Sequence, residues 1–253
     1  MALADCPSDS SPLILAIDTS SLTGSVALCR GATLLAESLL HLRSTHSERL
    51  LVQIEQVLAM TGVSVEQLDL LAVVHGPGSF TGLRVGLATA KGLATAAGIP
   101  VVGFSTLEVL AMNLPLCPYP VCAFLDARKQ EVYSGLFDCR EGFPVAVGEE
   151  AVLPPADLLQ RLEGDVALVG DAVPLYRSLI EQQLGTRAKL PPAVAHQPRA
   201  SAVAALAARR YAAGELPTTE ALTPRYIRPS DADLPKSRAE QGAHDRLASE
   251  RQI

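Results

Sequence analysis

The chain has 253 residues, of which 48% are hydrophobic, and a mean hydropathy of +0.24, so it can bury a core and is not intrinsically disordered. Its formal net charge is −6, which argues against a protein that binds a nucleic acid alone, because such binding depends on basic residues that neutralise phosphates. If RNA is the final substrate, another subunit should carry most of the contact.

Cysteine usage and hydropathy indicate the compartment. The five cysteines are an odd number without CxxC spacing, so we expect reduced, mostly buried thiols. The first 12 residues lack the basic and apolar regions of a signal peptide, and no apolar run approaches the roughly 18 residues of a membrane span. We therefore expect a cytoplasmic protein with no membrane association.

The first half of the chain reads as strands followed by helices and strands in alternation. After a polar leader at 1–11, which we expect to be flexible, the aliphatic and alternating patterns predict strands at 13–18, 24–30, 34–40, 70–75 and 101–104. Apolar residues at helical spacing predict helices at 45–61 and 81–97. Thr45 and Glu48 form a capping box for the first helix, and Gly98 ends the second.

The second half repeats this order in looser form. Strand patterns occupy 120–126, 132–137, 146–153 and 166–170, and helical patterns occupy 155–162, 175–184 and 201–213. The repetition predicts two lobes of related plan, an N-terminal lobe at 12–104 and a smaller C-terminal lobe at 105–228. The mixed charges of 229–253 predict a flexible tail.

A glycine-rich loop, GPGSFTGLRVG at 76–86, leads straight into the second helix. Gly76, Gly78 and Gly82 permit close backbone approach, and the helix N-terminus favours an anion, so one interpretation is a phosphate cradle. The spacing fits neither the dinucleotide fingerprint nor the P-loop. The alternative interpretation is a tight strand-to-helix turn that binds nothing, and the residues alone leave the two about equal.

Two acidic strand ends are further candidates for binding. Asp18, Thr19 and Ser20 follow the first strand, where they are suited to hold a metal or phosphate or, alternatively, to cap a turn. Asp126 occupies the matching place in the second lobe, within DARKQEVY at 126–133. Arg128 can pair with Asp126 or Glu131 as an ordinary turn network, and we favour that interpretation.

Two helices carry patterns typical of an interface. The helix 81–97 is apolar nearly all round, with a ridge of small residues and a neighbouring apolar stripe that allow another helix to approach: Gly82, Leu83, Gly86, Leu87 and Ala90. The helix 45–61 has a second, mixed stripe formed by Arg49, Val52, Gln53, Gln56 and Met60. Either a partner or the chain's own second lobe can cover these faces. If a partner covers them, Gly86→Leu should leave the fold largely intact and block docking of that partner.

Metal and nucleophile motifs do not emerge from the sequence. His41 and His46 are five residues apart, about 140° around a helix, so they do not share a face as a helical metal site requires. Ser79 lies in a glycine loop, but its neighbours do not match a nucleophile elbow. We expect neither a catalytic residue nor a metal site.

Taken together, the motifs resemble the TsaB family, also called YeaZ. The resemblance rests on ILAIDTS at 14–20, THSERLL at 45–51, GPGSFTGLRVG at 76–86, GIPVVGFSTLE at 98–108, DARKQEVY at 126–133 and PRYIRP at 224–229, and it spans about 13–229. It implies an α/β fold with two lobes of the acetate kinase, Hsp70 and actin type, related to ribonuclease H, with duplicated mixed-sheet domains.

The resemblance also implies a role and partners. Members of the family are non-catalytic partners of TsaD, which transfers threonylcarbamoyl to adenosine 37 of tRNAs reading ANN codons, and the ATPase TsaE joins them. Their heterodimer forms through the first two helices, which map here to about 47–60 and 81–97, and isolated members self-associate through the same surface. ATP or ADP and the metal belong to the partner subunits, and tRNA is contacted mainly through the complex. The cleft of Asp18, Thr19, Ser20, Gly76, Gly78 and Asp126 would then be vestigial.

Two other classes of function stay open. An active phosphotransferase of the same fold would use Asp18, Thr19 and the loop at Gly76 on ATP, and needs an acid–base residue in the cleft. A peptidase would need a metal pair or an activated nucleophile. The sequence offers no convincing base beyond Asp18 or Asp126 for the first, and neither a metal pair nor an activated nucleophile for the second.

Overall fold

A computed structural model describes residues 11–41, 46–215 and 222–227 of the chain, and the side chains of 46–48 are outside that description. The first half contains β1 (Leu13–Asp18), β2 (Thr23–Arg30), β3 (Thr33–His41), α1 (His46–Thr61), β4 (Leu70–Gly76), α2 (Phe80–Ala97), β5 (Val101–Ser105) and α3 (Thr106–Ala111). The second contains β6 (Val121–Asp126), β7 (Val132–Asp138), β8 (Val145–Ala146), β9 (Ala151–Leu153), α4 (Pro155–Arg161), β10 (Val166–Val169), α5 (Ala172–Leu175), α6 (Arg177–Leu184), β11 (Ala188–Lys189) and α7 (Ala200–Ala212).

The two sheets have the same topology. The first has strand order β3-β2-β1-β4-β5, and the second has β8-β7-β6-β10-β11, with β9 also paired to β7. In the first sheet, β1 pairs antiparallel with β2 and parallel with β4, and β4 pairs parallel with β5. In the second sheet, β6 pairs in the same way with β7 and β10, and β10 pairs parallel with β11. The duplicated plan confirms the predicted two-lobed, actin-like α/β fold.

The central strand β1 is buried along its whole length because both faces of the first sheet are covered. Leu15 and Ile17 face the side covered by α1 and α2, whereas Ile14 and Ala16 face the side covered by α7. This explains why β1 reads as a continuous aliphatic run and not as an alternating one.

In each half, the last helix of the described residues packs on the sheet of the other half. Leu107 and Leu110 of α3 join the core around β6 and β7, while Val203 and Ala204 of α7 lie against β1, β2 and β4. The N-terminus of α7 is held by the first sheet, because the Ser25 hydroxyl accepts from the Ala200 amide at 2.9 Å. Assigning all of 105–228 to the C-terminal lobe is therefore wrong for α7.

Smaller differences concern element boundaries. The predicted strand 146–153 is two short strands, and the predicted helix 175–184 is divided near Tyr176 into α5 and α6. Of the predicted capping box, Thr45 and the Glu48 side chain lie outside the described residues, as do the leader 1–10 and the tail 228–253. The four described cysteines are free thiols. Within the described ranges, no helix is long and apolar enough to cross a membrane.

Candidate functional site

The glycine loop packs directly on the turn that follows β1. The Ser79 amide donates to the Ser20 carbonyl at 2.7 Å, and the Thr19 hydroxyl donates to the Gly82 carbonyl, also at 2.7 Å. Ser79 is the N-cap of α2, its side chain accepting from the Gly82 amide at 3.3 Å. The two predicted phosphate-binding segments are therefore brought together, but they bind each other.

The loop glycines are required by close packing within the chain. Gly76 and Gly78 have φ of +127° and +155°, values that side-chain-bearing residues rarely adopt. A Cβ at Gly76 would lie 2.5 Å from the Arg225 carbonyl oxygen, and one at Gly78 would collide with the Ser20 carbonyl. The close backbone approach that glycine permits is thus used by the protein itself, which favours the structural interpretation of the loop.

Asp18 is fully buried, and its Oδ1 accepts from the Ser20 amide at 2.9 Å, which is the turn-capping arrangement. Thr19 and Ser20 are buried beside it. The predicted acidic strand end is therefore part of the packed turn.

Asp126 belongs to a separate network at the end of β6. Its carboxylate accepts from the Arg128 amide at 2.9 Å and pairs with the Arg128 guanidinium at 3.2 Å, which confirms the predicted turn network. The Asp126 amide donates to Asp171 Oδ1 at 2.9 Å. Burial raises the pKa of Asp171, and the hydrogen bond from the Asp126 amide opposes this effect. The sequence reasoning missed Asp171, although it follows β10 as the glycine loop follows the equivalent strand β4.

Four of the five residues predicted on α1 are exposed. Val52 and Met60 are 49% and 68% exposed, and Arg49 and Gln56 are exposed as well. Gln53 is the exception, because it is buried and donates to the Ser38 hydroxyl of β3 at 3.1 Å. Gln53 therefore connects α1 to its own sheet, and its assignment to a partner interface is wrong.

The predicted ridge of α2 faces the core. All five residues named for it are buried: Gly82, Leu83, Gly86, Leu87 and Ala90. A Cβ at Gly86 would collide with the Thr19 hydroxyl and lie 3.7 Å from Val73, so this side of the helix rests on β1 and β4. The assignment of these residues to a partner surface is wrong, and so is the expectation that Gly86→Leu leaves the fold intact.

A different ridge of small residues on α2 is exposed. Ala88, Gly92 and Ala96 are spaced four residues apart, and Arg84 continues the row towards the helix start. A Cβ at Gly92 would have no neighbour within 4 Å. Since α1 and α2 are in contact, this ridge and the exposed residues of α1 lie on adjacent helices. We call Val52, Gln56, Met60, Ala88, Gly92 and Ala96 the helical face.

Among the described residues, no group of three His, Cys, Asp or Glu side chains is placed to hold a metal ion.

A model of the family described as TsaD, tRNA N6-adenosine threonylcarbamoyltransferase, matches residues 38–236. The Bacillus subtilis tRNA threonylcarbamoyladenosine biosynthesis protein TsaB is 34% identical over 87% of this chain and 96% of its own. The Escherichia coli TsaB is 38% identical over 62% of this chain and 70% of its own.

Solved structures agree with these sequence matches. YeaZ from Pseudomonas aeruginosa superposes with a TM-score of 0.72 at 31% identity, covering 85% of this chain and 99% of that one. A Pseudomonas aeruginosa protein described as similar to peptidase YEAZ gives a TM-score of 0.74 at 31% identity, covering 86% of this chain and 100% of that one. The motifs, the duplicated fold and these matches over most of the chain show that it belongs to the TsaB (YeaZ) family.

Proposed function

We propose that this chain is a non-catalytic scaffold that acts in the cytoplasm with TsaD and TsaE in the threonylcarbamoylation of adenosine 37 of ANN-reading tRNAs. The observation that carries this proposal is the helical face, an exposed apolar and small-residue surface on two adjacent helices. Exposed apolar residues grouped in this way are typical of a surface that another protein covers. The names of the relatives supply the pathway.

The packing of the glycine loop supports a structural role for the predicted nucleotide cleft. The backbone positions that would cradle a phosphate lie against the Ser20 and Arg225 carbonyls, and Asp18 caps its own turn. We propose that ATP or ADP and the metal belong to the partner subunits, and that this chain stabilises the complex by binding TsaD directly. Its formal charge of −6 is in line with tRNA being held mainly by the other subunits.

The helical face gives the proposal a structural mechanism. Ala88, Gly92 and Ala96 have little or no side chain, so the backbone of a partner helix can approach α2 closely, as ridge-and-groove packing requires. Val52 and Met60 on α1 supply apolar area beside this ridge. In the absence of TsaD, a second copy of the chain can use the same face, so we expect a homodimer that TsaD displaces.

The test is reconstitution of the reaction from purified components. The chain is combined with TsaD, TsaE, tRNA and threonylcarbamoyl-adenylate, each component is omitted in turn, and modified adenosine is measured by mass spectrometry. We expect product only when this chain and TsaD are both present, and co-elution of the two in size-exclusion chromatography. A chain that neither co-elutes with TsaD nor supports modification would contradict the proposal. ATP turnover or peptide cleavage by the chain alone would favour the phosphotransferase or peptidase alternative.

A matched pair of variants tests the docking surface. Ala88→Arg places a long cation on the ridge, whereas Gln182→Arg places the same side chain on the exposed side of α6 in the second lobe. Both positions are exposed, so both variants should fold. We expect only Ala88→Arg to lose TsaD binding, by at least about tenfold, because a central interface position must be closely packed.

A further inference from the structure

Residues 222–227, which we call the strap, lie far along the chain but contact the first lobe. The Arg225 amide donates to the His75 carbonyl at the end of β4 at 2.8 Å. Leu222 is buried in the core of the first sheet, beside Gly103 of β5. The backbone of the strap is therefore fixed at the ends of β4 and β5.

The strap also contacts the first turn of α2. The Tyr226 ring stacks on Phe80 with centroids 5.1 Å apart and planes inclined by 29°. The Arg84 Nε donates to the Tyr226 hydroxyl at 3.2 Å, and the Arg84 guanidinium lies 3.7 Å from the centre of the Phe80 ring. Phe80 and Tyr226 are each more than a third exposed, so this part of the attachment is open to solvent.

Two contacts of the strap reach the second lobe. The Arg225 guanidinium lies 3.1 Å from Glu150 Oε2, just before β9, in an ion pair that is not aligned as a hydrogen bond. The Glu150 side chain is 10% exposed, and its other oxygen accepts from the Ser105 hydroxyl at the end of β5. Ile227 packs against the core around β6 and β7.

We propose that the strap is an interlobe tie that holds the second lobe in a fixed orientation against the glycine-loop end of the first. Arg225 is central because its backbone binds the first lobe and its side chain pairs with the second. The Glu150 side chain is largely buried whereas the Arg225 side chain is half exposed, so loss of the Arg225 cation leaves a carboxylate in the interior without a compensating charge. The inference concerns the isolated chain and does not depend on the proposed function.

The test measures the distance between the lobes in the full-length chain. Spin labels are attached through bio-orthogonal side chains at Thr33 on β3, outside the helical face, and at Gln160 on α4, both of which are exposed. Double electron–electron resonance then measures the distance between the two labels in the unaltered sequence, in Arg225→Gln and in Glu150→Gln. The control is Glu181→Gln, which breaks an exposed ion pair with Arg177 inside the second lobe.

We expect both strap variants to shift the mean distance by more than the width of the unaltered distribution, and the control to leave it unchanged. Exchange of the Arg225 amide hydrogen should accelerate about tenfold in the same two variants, because an interaction that holds the strap is lost. An unchanged distance distribution in the strap variants overturns the proposal, even where amide exchange accelerates. If Arg225→Gln fails to fold by circular dichroism, the distances of Glu150→Gln decide.

Discussion

The packing of α2 on β1 leads to a sharp prediction for Gly86→Ala. Gly86 is buried in the middle of α2, and its Cα faces the Thr19 hydroxyl, which donates to the Gly82 carbonyl at 2.7 Å. A methyl group at this position collides with the hydroxyl oxygen, so either Thr19 rotates and loses its hydrogen bond or the helix moves away from the sheet.

The expected change in the free energy of unfolding of Gly86→Ala is the sum of two opposing effects. Forcing a methyl group into a packed core and leaving a buried hydroxyl unpaired costs about 3 kcal/mol. Replacing a glycine in a helix interior by alanine contributes about 1 kcal/mol in the stabilising direction. The net loss in the free energy of unfolding is then about 2 kcal/mol, which lowers the melting temperature of a chain of this size by roughly 6 °C.

Urea and thermal unfolding followed by circular dichroism measure this difference, and the same helix provides the control. Gly92 has no neighbour within 4 Å of a new Cβ, so Gly92→Ala should stabilise the chain by up to about 1 kcal/mol. In a Thr19→Ala background the colliding oxygen is absent, and the new Cβ of Gly86→Ala lies 3.6 Å from the Cβ of residue 19, an ordinary contact. Gly86→Ala should therefore be tolerated in that background.

Two results would refute this reasoning. The first is a Gly86→Ala variant as stable as Gly92→Ala, since the buried and exposed sides of α2 would then be wrongly assigned. The second is additivity of Thr19→Ala and Gly86→Ala, because residues that collide must show a coupling energy.

Three further predictions rest on other regions. Burial, with the charges of two arginines, lowers the pKa of His75 from 6.5 to about 4. The unfolded chain therefore takes up a proton between pH 6.5 and 4 that the folded chain does not, and stability falls as pH is lowered through this window, by up to about 3 kcal/mol. In urea titrations at pH 7 and 4.5, His75→Gln should show a smaller acid loss; an equal loss contradicts the assignment. Gln130 is the last of three consecutive non-glycine residues with positive φ, a conformation that glycine adopts without strain. Gln130→Gly should therefore raise the free energy of unfolding by roughly 0.5–1 kcal/mol in the same assay. A decrease in the free energy of unfolding would argue against this turn geometry. Val52→Asp on the helical face should weaken binding to TsaD at least about tenfold, because the new charge becomes buried only in the complex. Isothermal titration calorimetry measures the affinity, and the thermal stability of the chain alone should not change. Unchanged affinity would remove Val52 from the interface.

Much of the fold could be predicted because the local patterns agree with the tertiary environment. The strands β1 and β4 are covered on both faces, so their continuous aliphatic runs are unambiguous. The order of elements repeats, and the repeat was enough to predict two related lobes. The turn network of Asp126 and Arg128 was also predictable, because both partners lie within three residues of each other.

The placement of α7 and of the strap could not be predicted in this way. Each belongs to the second half of the chain by sequence but packs on the first sheet through contacts more than 100 residues distant, such as Ser25 with Ala200 and His75 with Arg225. Local periodicity shows that such a segment has an apolar side, but it does not show which surface covers that side.

The sequence by itself determined the family, the duplicated α/β plan and the two helices that carry the candidate surface. Only the tertiary structure decided which side of α2 is exposed. Gly82, Gly86 and Ala90 form a row of small residues spaced four apart, and so do Ala88, Gly92 and Ala96, so residue size and spacing do not distinguish the two sides. The Thr19 hydroxyl does, because its hydrogen bond to the Gly82 carbonyl leaves room for no side chain at Gly86 and thereby turns that row towards the sheet.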